Sequence, residues 1–253
     1  MSASWEDDLD AEGVIEPARV FADQPALPER AVLCFFGEVV ADLVPSLPGA
    51  RPLGHLVSET GPNPVWQLDV GGVPVAVLQP GVGAPLAAYY LEVLVARGVR
   101  TAVACGGAGA LLPDLVLGHA VVVDSARRDE GTSLHYHPPG PVLDLDPEPV
   151  AALVSTLERR GVPHVVGRAW TTDAIFRETR ARVERRRREG CSVVEMECAA
   201  LAAVARYRGA GFGQLLLAGD TLAGDEWDER GWMSAADARR RIFELALEAV
   251  AGL

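Results

Sequence analysis

Residues 73–109 read VPVAVLQPGVGAPLAAYYLEVLVARGVRTAVACGGAG, and the fold class follows from this segment. Val73–Leu78 is a short apolar run that predicts a buried strand, and a turn rich in proline and glycine follows it. A helix is predicted from Pro85 to about Arg97, because a proline is acceptable in the first turn and a glycine follows the last one. Thr101–Cys105 then predicts a second strand. Strand, helix and strand in succession are typical of an α/β domain.

The same alternation continues along the rest of the chain. Further strands are predicted over Ala31–Phe36, His119–Asp124, Val162–Trp170, Cys191–Val194 and Phe212–Ala218. Further helices are predicted over 147–160, 175–189, 195–208 and 234–250, the last with Ser234 as N-cap and Asp237 at the capping-box position. Residues 45–64, with many prolines and glycines, predict a loop. The sequence therefore predicts one α/β domain over residues 31–253, with helices on both faces of a buried sheet, and an N-terminal arm over residues 1–30.

Composition and charge limit the classes of partner. Lys and Arg number 23 against 35 Asp and Glu, which gives a net charge of −12. Such a chain repels phosphate backbones, so neither a nucleic-acid polymer nor an anionic membrane is expected as a partner. The four cysteines form no C-x-x-C pair, which favours buried thiols in a reducing compartment and no metal site. With no apolar run of membrane length and no leader pattern, the sequence predicts a cytoplasmic protein.

Glycine or acidic residues follow four of the predicted strands, where ligands bind in α/β sheets. Any one of these glycines alone is explained by a turn. Together they predict one crevice, lined by backbone N–H groups, that suits a small polar or anionic ligand. The four positions are Gly37-Glu38, Gly81 to Gly83, Gly106 to Gly109 and Gly219-Asp220.

Acidic residues near two of these strand ends are candidates for chemistry. Glu195, Met196 and Glu197 lie between a strand and an apolar helix, where a carboxylate is also explained by the helix dipole. Glu197 precedes an apolar run, so a carboxylate at that buried edge needs a partner, and a pair of sugar hydroxyls would suit it. Met196 could then pack against the sugar. Asp220 is placed to give or take a proton, or it simply starts an acidic turn.

Four segments together resemble the class I nucleoside phosphorylase and nucleosidase superfamily. They occur in that family's order, and the resemblance covers roughly residues 31–250. They are residues 194–200 (VEMECAA), 109–119 (GALLPDLVLGH), 128–136 (RDEGTSLHY) and 170–179 (WTTDAIFRET). The resemblance implies a three-layer α/β/α domain with a central mixed sheet. It also implies cleavage of the N-glycosidic bond of a nucleoside.

The resemblance assigns roles to the acidic residues. Glu197 would hold the ribose 2′- and 3′-hydroxyls, with Met196 and Glu195 beside it. Asp220 matches the position of the aspartate that protonates the leaving base in purine-cleaving members, so a purine nucleoside is expected. Phe176 is either a stacking wall for the base or an ordinary core residue.

The phosphate site departs from the pattern of the phosphorylases. Gly37 is present, but Ala41, Ala104 and Gly107 stand where the family has two arginines and a Ser or Thr. A phosphate dianion needs cationic or hydroxyl partners. Backbone N–H groups of Gly37, Gly83, Gly106 and Gly107 supply part of this. Arg127, Arg128 and, from a neighbouring subunit, Arg51 are candidates for the rest.

Three functions remain open from the sequence. Phosphorolysis to free base and ribose 1-phosphate is expected first, with phosphate as co-substrate and no metal or organic cofactor. Hydrolysis is the alternative, with Glu38 activating water as in the nucleosidase branch. The third is a nucleoside- or base-binding protein without turnover. The resemblance implies a homo-oligomer (a dimer, a trimer of dimers or a hexamer). A pairing of Arg230 with Asp220 is a further hypothesis.

Overall fold

A computed structural model describes residue 9 and residues 11–253, and all elements below lie in that part of the chain. Its ten strands are β1 Arg30–Cys34, β2 Arg51–Ser58, β3 Gly61–Val70, β4 Val73–Leu78, β5 Thr101–Ala110, β6 Ala120–Asp129, β7 Val142–Asp144, β8 His164–Thr172, β9 Cys191–Glu195 and β10 Gly211–Thr221. Its six α-helices are α1 Pro17–Val20, α2 Ala84–Ala96, α3 Pro147–Arg159, α4 Arg180–Arg188, α5 Cys198–Arg208 and α6 Ala236–Ala251.

The strands form one mixed sheet in the order β10-β6-β8-β9-β5-β1-β4-β3-β2, with β7 added to β6. β5 pairs antiparallel with β9 and parallel with β10, so β5, β10, β6, β8 and β9 close a circuit. The remaining strands extend from β5 through parallel pairs of β1 with β5 and with β4. The ends of β5, β9 and β10 therefore lie close together.

Helices cover both faces of the sheet. Along β1, Ala31 and Leu33 belong to a buried cluster with α2 and α5, whereas Val32 and Cys34 belong to a cluster with α3 and α6. This alternation follows from the two-residue period of a strand. The predicted α/β class, with a mixed sheet between two helical layers, is confirmed.

The prediction of a loop over residues 45–64 is wrong. β2 and β3 form an antiparallel hairpin there, with His55 opposite Pro64 and Val57 opposite Pro62. β2 is the last strand of the sheet, and β4 pairs with β3 only from Trp66 onward. The prolines therefore lie at positions with one neighbouring strand, where a missing N–H is tolerated.

The glycines after Cys105 continue strand β5 instead of ending it. A Cβ at Gly106 would lie 3.0 Å from Phe35, and a Cβ at Gly107 would lie 2.8 Å from the Trp232 ring. A Cβ at Gly109 would lie 2.7 Å from Leu222. These glycines are needed because neighbouring side chains lie directly over the strand.

Three predicted helices begin later than expected. The first part of 175–189 is a 3₁₀ turn, Ile175–Arg177, before α4 begins at Arg180. Glu195 still belongs to β9, so α5 starts at Cys198. Ser234 is not the N-cap of the last helix, because its hydroxyl donates to the Gly231 carbonyl within a local turn.

Residues 11–29 pack against the body of the protein. The Leu27 N–H donates to the Arg97 carbonyl, and the Arg97 guanidinium donates to the Pro25 carbonyl. Residues 1–8 and 10 of the predicted arm lie outside the described residues, so the division into arm and domain stays a prediction. Within the described part, no helix combines the length and the apolarity that crossing a bilayer requires.

Candidate active site

A cavity of about 210 Å³ opens at the carboxyl ends of β1, β5, β9 and β10. Its walls come from distant parts of the chain, as the topology of the sheet requires. They include Phe35 and Phe36 after β1, Gly106 to Gly109 of β5, Glu195 to Glu197 after β9, Asp220 of β10, Ile175 and Glu178, and Trp232 and Arg239. Four carboxylates and one guanidinium therefore share this space.

Glu195 is fully engaged by the protein. Its Oε1 accepts the Thr171 hydroxyl at 2.5 Å, and its Oε2 accepts the N–H groups of Glu197 and Cys198, both at 2.7 Å. The Gln214 amide adds a fourth donor at 3.4 Å. Burial raises the pKa of Glu195, and these hydrogen bonds oppose the rise. Glu195 therefore holds the start of α5 and positions Glu197 through the Glu197 and Cys198 N–H groups.

Glu197 is held in the cavity by main-chain N–H groups, those of Gly83 and Met196. Its Oε1 accepts the Gly83 N–H at 2.6 Å, and only 6% of the residue is exposed. Gly83 has a φ of 101°, which favours glycine. Burial, followed by the charge of Glu195, raises the pKa of Glu197 to about 8. Met196 lies beside it on the cavity wall.

Asp220 and Glu178 both line the cavity and are close enough for their charges to interact. Asp220 Oδ2 accepts the Trp227 indole N–H at 2.6 Å. Burial first, and then the charge of Asp220, raises the pKa of Glu178 to about 7. Arg230 donates to the main-chain carbonyls of Asp220 and Leu115, each at 2.8 Å, so it supports the backbone and does not pair with the carboxylate.

Phe176 does not line the cavity, and 96% of the residue is exposed. Its neighbours Ile175 and Glu178 line the cavity instead. The 3₁₀ turn explains this, because side chains three residues apart point the same way in such a turn. Glu178 was not singled out from the sequence, although it lies in the 170–179 segment. Its position depends on the pitch of that turn.

The predicted anion-site residues are only partly brought together. Gly106 and Gly107 line the cavity, and Gly83 contacts Glu197. Gly37 packs against Gln79, where a Cβ would lie 3.1 Å from the Gln79 amide nitrogen. Glu38 forms an ion pair with Arg239, with 2.9 Å between Oε2 and Nη2. Sequence reasoning missed Arg239, which lies about 200 residues along the chain from Glu38.

The other candidate arginines have structural partners away from the cavity. Arg51 donates to Gln67 across the hairpin. Arg127 pairs with Glu189 at 2.9 Å. Arg128 donates to the Ser133 hydroxyl and to the carbonyls of the following loop. The 128–133 segment is therefore a buried network that holds a loop. Neither Arg127 nor Arg128 lines the cavity, and phosphate binding by them stays a prediction.

A metal centre has no support in the described residues. Within residue 9 and residues 11–253, no three His, Cys, Asp or Glu side chains gather as metal ligands would. The four cysteines are buried with free thiols. Burial raises the pKa of Cys191 to about 11, which keeps that thiol protonated.

A family model and two proteins that are similar to this chain in sequence are all described as phosphorylases. The family model described as "Phosphorylase superfamily" matches residues 29–251. A guanosine phosphorylase of Halorubrum lacusprofundi is 29% identical over 205 residues, which are 79% of this chain and 85% of that protein. A uridine phosphorylase of Escherichia coli is 31% identical over 111 residues, 44% of each chain.

Solved structures share the fold at low sequence identity. The purine nucleoside phosphorylase of Toxoplasma gondii, in complex with immucillin-H, superimposes with a TM-score of 0.78 at 18% identity. The match covers 90% of this chain and 95% of that one. The uridine phosphorylase of Vibrio fischeri superimposes with a TM-score of 0.75 at 20% identity, over 91% and 98% of the two chains.

Proposed function

The chain belongs to the phosphorylase superfamily, and we propose that it is a nucleoside phosphorylase that cleaves purine nucleosides to free base and ribose 1-phosphate. The observation that carries this proposal is the convergence of Glu197 and Asp220 in one cavity, each with an oxygen held by the protein. The guanosine phosphorylase that matches along most of the chain supports it.

Glu197 is proposed to bind the ribose. The Gly83 N–H holds Oε1, and Oε2 would accept the 2′- and 3′-hydroxyls. An ionised carboxylate is the stronger acceptor, and bound hydroxyl groups favour the ionised form. Met196 supplies an apolar surface beside the sugar.

Asp220 is proposed to protonate the leaving base. In phosphorolysis the bond between C1′ and the base nitrogen breaks, and its electron pair goes to the base. A phosphate oxygen then forms the new bond to C1′. A proton delivered to the purine imidazole ring neutralises the base as it leaves, which contributes about 10²–10⁴-fold. Pyrimidines lack that ring, so a general acid here favours purines.

Glu178 supports this role by its place beside Asp220. Burial, and then the negative charge of Asp220, disfavours the ionised form of Glu178, so Glu178 retains its proton at higher pH than a free glutamate does. The pKa of Glu178 is raised to about 7. The proton needed by the base is therefore held within the cavity near neutral pH.

Hydrolysis is the second candidate, because Ala41, Ala104 and Gly107 replace the expected phosphate ligands. Glu38 would then activate water. Its carboxylate forms an ion pair with Arg239, which lines the cavity. A binding protein without turnover is the remaining alternative.

We also propose a cytoplasmic homo-oligomer. Phe176 and Ile175 are exposed next to the cavity, and large exposed apolar side chains of this kind are typical of subunit interfaces. Free, buried cysteines fit a reducing compartment. Light scattering of the purified protein tests the homo-oligomer, since the mass of a monomer would contradict it.

The test of function is a panel of purine and pyrimidine nucleosides, incubated with and without phosphate, with base and sugar products separated by chromatography. Purine release that requires phosphate and yields ribose 1-phosphate is the expected result. Release of free ribose without phosphate would establish hydrolysis. Ligand-induced thermal stabilisation without any product would favour the binding protein.

A further inference from the structure

We propose that Arg239 is the phosphate-binding cation of this enzyme, an inference that rests on the proposed phosphorolysis. Arg239 lies in the first turns of α6, and only 6% of it is exposed. It nevertheless lines the cavity, together with Phe36, Gly106 and Gly107. It is the one Lys or Arg side chain on that wall among the described residues. A phosphate dianion that enters this cavity therefore meets one cation.

The guanidinium is held rigidly by its faces and by one edge. It stacks 4.6 Å from the centre of the Phe36 ring and 5.4 Å from that of Trp232. Nη1 donates to the Met233 carbonyl at 3.0 Å, and Nη2 donates to Glu38 at 2.9 Å. Contact with both rings and the two hydrogen bonds restrain the group, which lowers the ordering cost when an anion binds.

Hydrogen-bonding capacity remains for a ligand. A guanidinium has five N–H groups, and the two bonds above leave one on Nη1 and one on Nη2. Nε lies 2.7 Å from Glu38 Oε1, yet it has no well-directed hydrogen-bond partner among the described residues. One N–H on each terminal nitrogen therefore remains for the oxygens of a phosphate.

Trp232 connects this arginine to the glycine at position 107. A Cβ at Gly107 would lie 2.8 Å from the Trp232 ring, and one at Gly219 would lie 3.1 Å from it. A Ser or Thr hydroxyl at 107 is therefore incompatible with the ring as placed. The same ring that excludes a side chain there forms one face of the Arg239 stack. The glycine at position 107 and the position of Arg239 therefore both depend on where the Trp232 ring lies.

Glu38 balances the charge of Arg239 when no anion is bound. A buried arginine without a counter-ion is strongly destabilising, and the Glu38 side chain, 43% exposed, supplies that charge from the solvent side. A phosphate dianion would compete with Glu38 for the guanidinium. Removing the negative charge of Glu38 should therefore strengthen phosphate binding.

The test measures initial rates of base release at varied phosphate for the wild type, Arg239→Lys, Arg239→Met, Glu38→Gln and Arg240→Met. Arg240 is the matched control, because it lies one residue along α6 and pairs with Glu244 on the exposed face. Arg239→Met should raise the KM for phosphate by about tenfold or more, and Arg239→Lys by less, because it keeps the charge without the fork. The KM for the nucleoside should change by no more than about twofold.

Each outcome decides the proposal. An unchanged phosphate KM in both Arg239 variants would overturn it, and so would an equal rise in Arg240→Met. Glu38→Gln should lower the phosphate KM, and a rise would contradict the competition. Because Arg239→Met removes buried packing, thermal unfolding with inorganic phosphate provides a second measurement. Phosphate should stabilise the wild type more than the folded Arg239→Lys, and equal stabilisation would overturn the proposal.

The failure of phosphorolysis is a separate result. If the wild type releases base without phosphate, the proposed function is wrong whatever Arg239 does. If release requires phosphate and the Arg239 variants match the wild type, phosphorolysis stands and the proposed role of Arg239 fails.

Discussion

Replacing Glu197 by glutamine tests the proposed ribose contact most directly. The glutamine side chain would keep the size of the original and one carbonyl oxygen that accepts the Gly83 N–H. It would replace the second carboxylate oxygen by an NH₂ group, which donates instead of accepting. The variant therefore removes the proposed acceptor of the ribose hydroxyls while it preserves the packing around a residue that is 6% exposed.

The magnitude follows from the number of hydrogen bonds lost. Hydrogen bonds to a charged group contribute about 1.5–3 kcal/mol each, and neutral ones about 0.5–1.5 kcal/mol. Loss of the charge at two hydroxyl contacts should therefore cost about 2–3 kcal/mol. That corresponds to a decrease of roughly 30- to 160-fold in kcat/KM for a ribonucleoside.

The assay compares kcat/KM for a ribonucleoside and for its 2′-deoxy and 2′,3′-dideoxy analogues, in the wild type, Glu197→Gln and Glu184→Gln. Glu184 is an exposed glutamate of α4 and serves as the matched control. The decrease in kcat/KM caused by Glu197→Gln should become smaller with each hydroxyl that the substrate lacks, as in a double-mutant cycle.

The pH dependence gives an independent signature. The pKa of Glu197 is raised to about 8 in the unliganded protein, so it is largely protonated at pH 7. The KM for a ribonucleoside should fall as pH rises from 7 to 9, since the ionised carboxylate accepts both hydroxyls. Glu197→Gln should lack this change. An equal loss on ribo- and dideoxynucleosides, in a variant that remains folded, would refute the ribose contact.

Three further changes test other parts of the cavity. Asp220→Asn should slow purine nucleosides by about 10²–10⁴-fold but affect substrates with activated leaving groups far less, and equal losses in kcat would remove its role as an acid. Gly107→Ala should destabilise the protein by about 1–3 kcal/mol in chemical denaturation, because its Cβ would lie 2.8 Å from Trp232, whereas Gly131→Ala has open space and should not. Glu178 has a folded-state pKa of about 7, above its ordinary 4.5, so its contribution to stability is present below pH 4.5 and is lost as pH rises through 7. The unfolding temperature of Glu178→Gln, relative to that of the wild type, should therefore be higher at pH 8 than at pH 5. A difference that is the same at both pH values would show that Glu178 does not titrate in this range.

Much of the fold could be predicted from local sequence. Val73–Leu78 is confirmed residue for residue as β4, because an apolar run between turn residues suits a strand that is buried on both faces. The hairpin of β2 and β3 was missed since its prolines are tolerated only where one neighbouring strand is present, and no local pattern shows where a sheet ends.

Some residues of the candidate site could also be predicted from local sequence, and others depend on tertiary packing. Local sequence was enough to place Glu197 and Asp220 near the carboxyl ends of strands, and these ends converge in an α/β sheet whatever the details of packing. Which side chain of a helix or a 3₁₀ turn enters the cavity depends instead on how the elements pack. Glu178 and Arg239 enter and Phe176 does not, because the rotation of each element against the sheet sets the direction of its side chains. That rotation results from contacts between residues far apart in the chain.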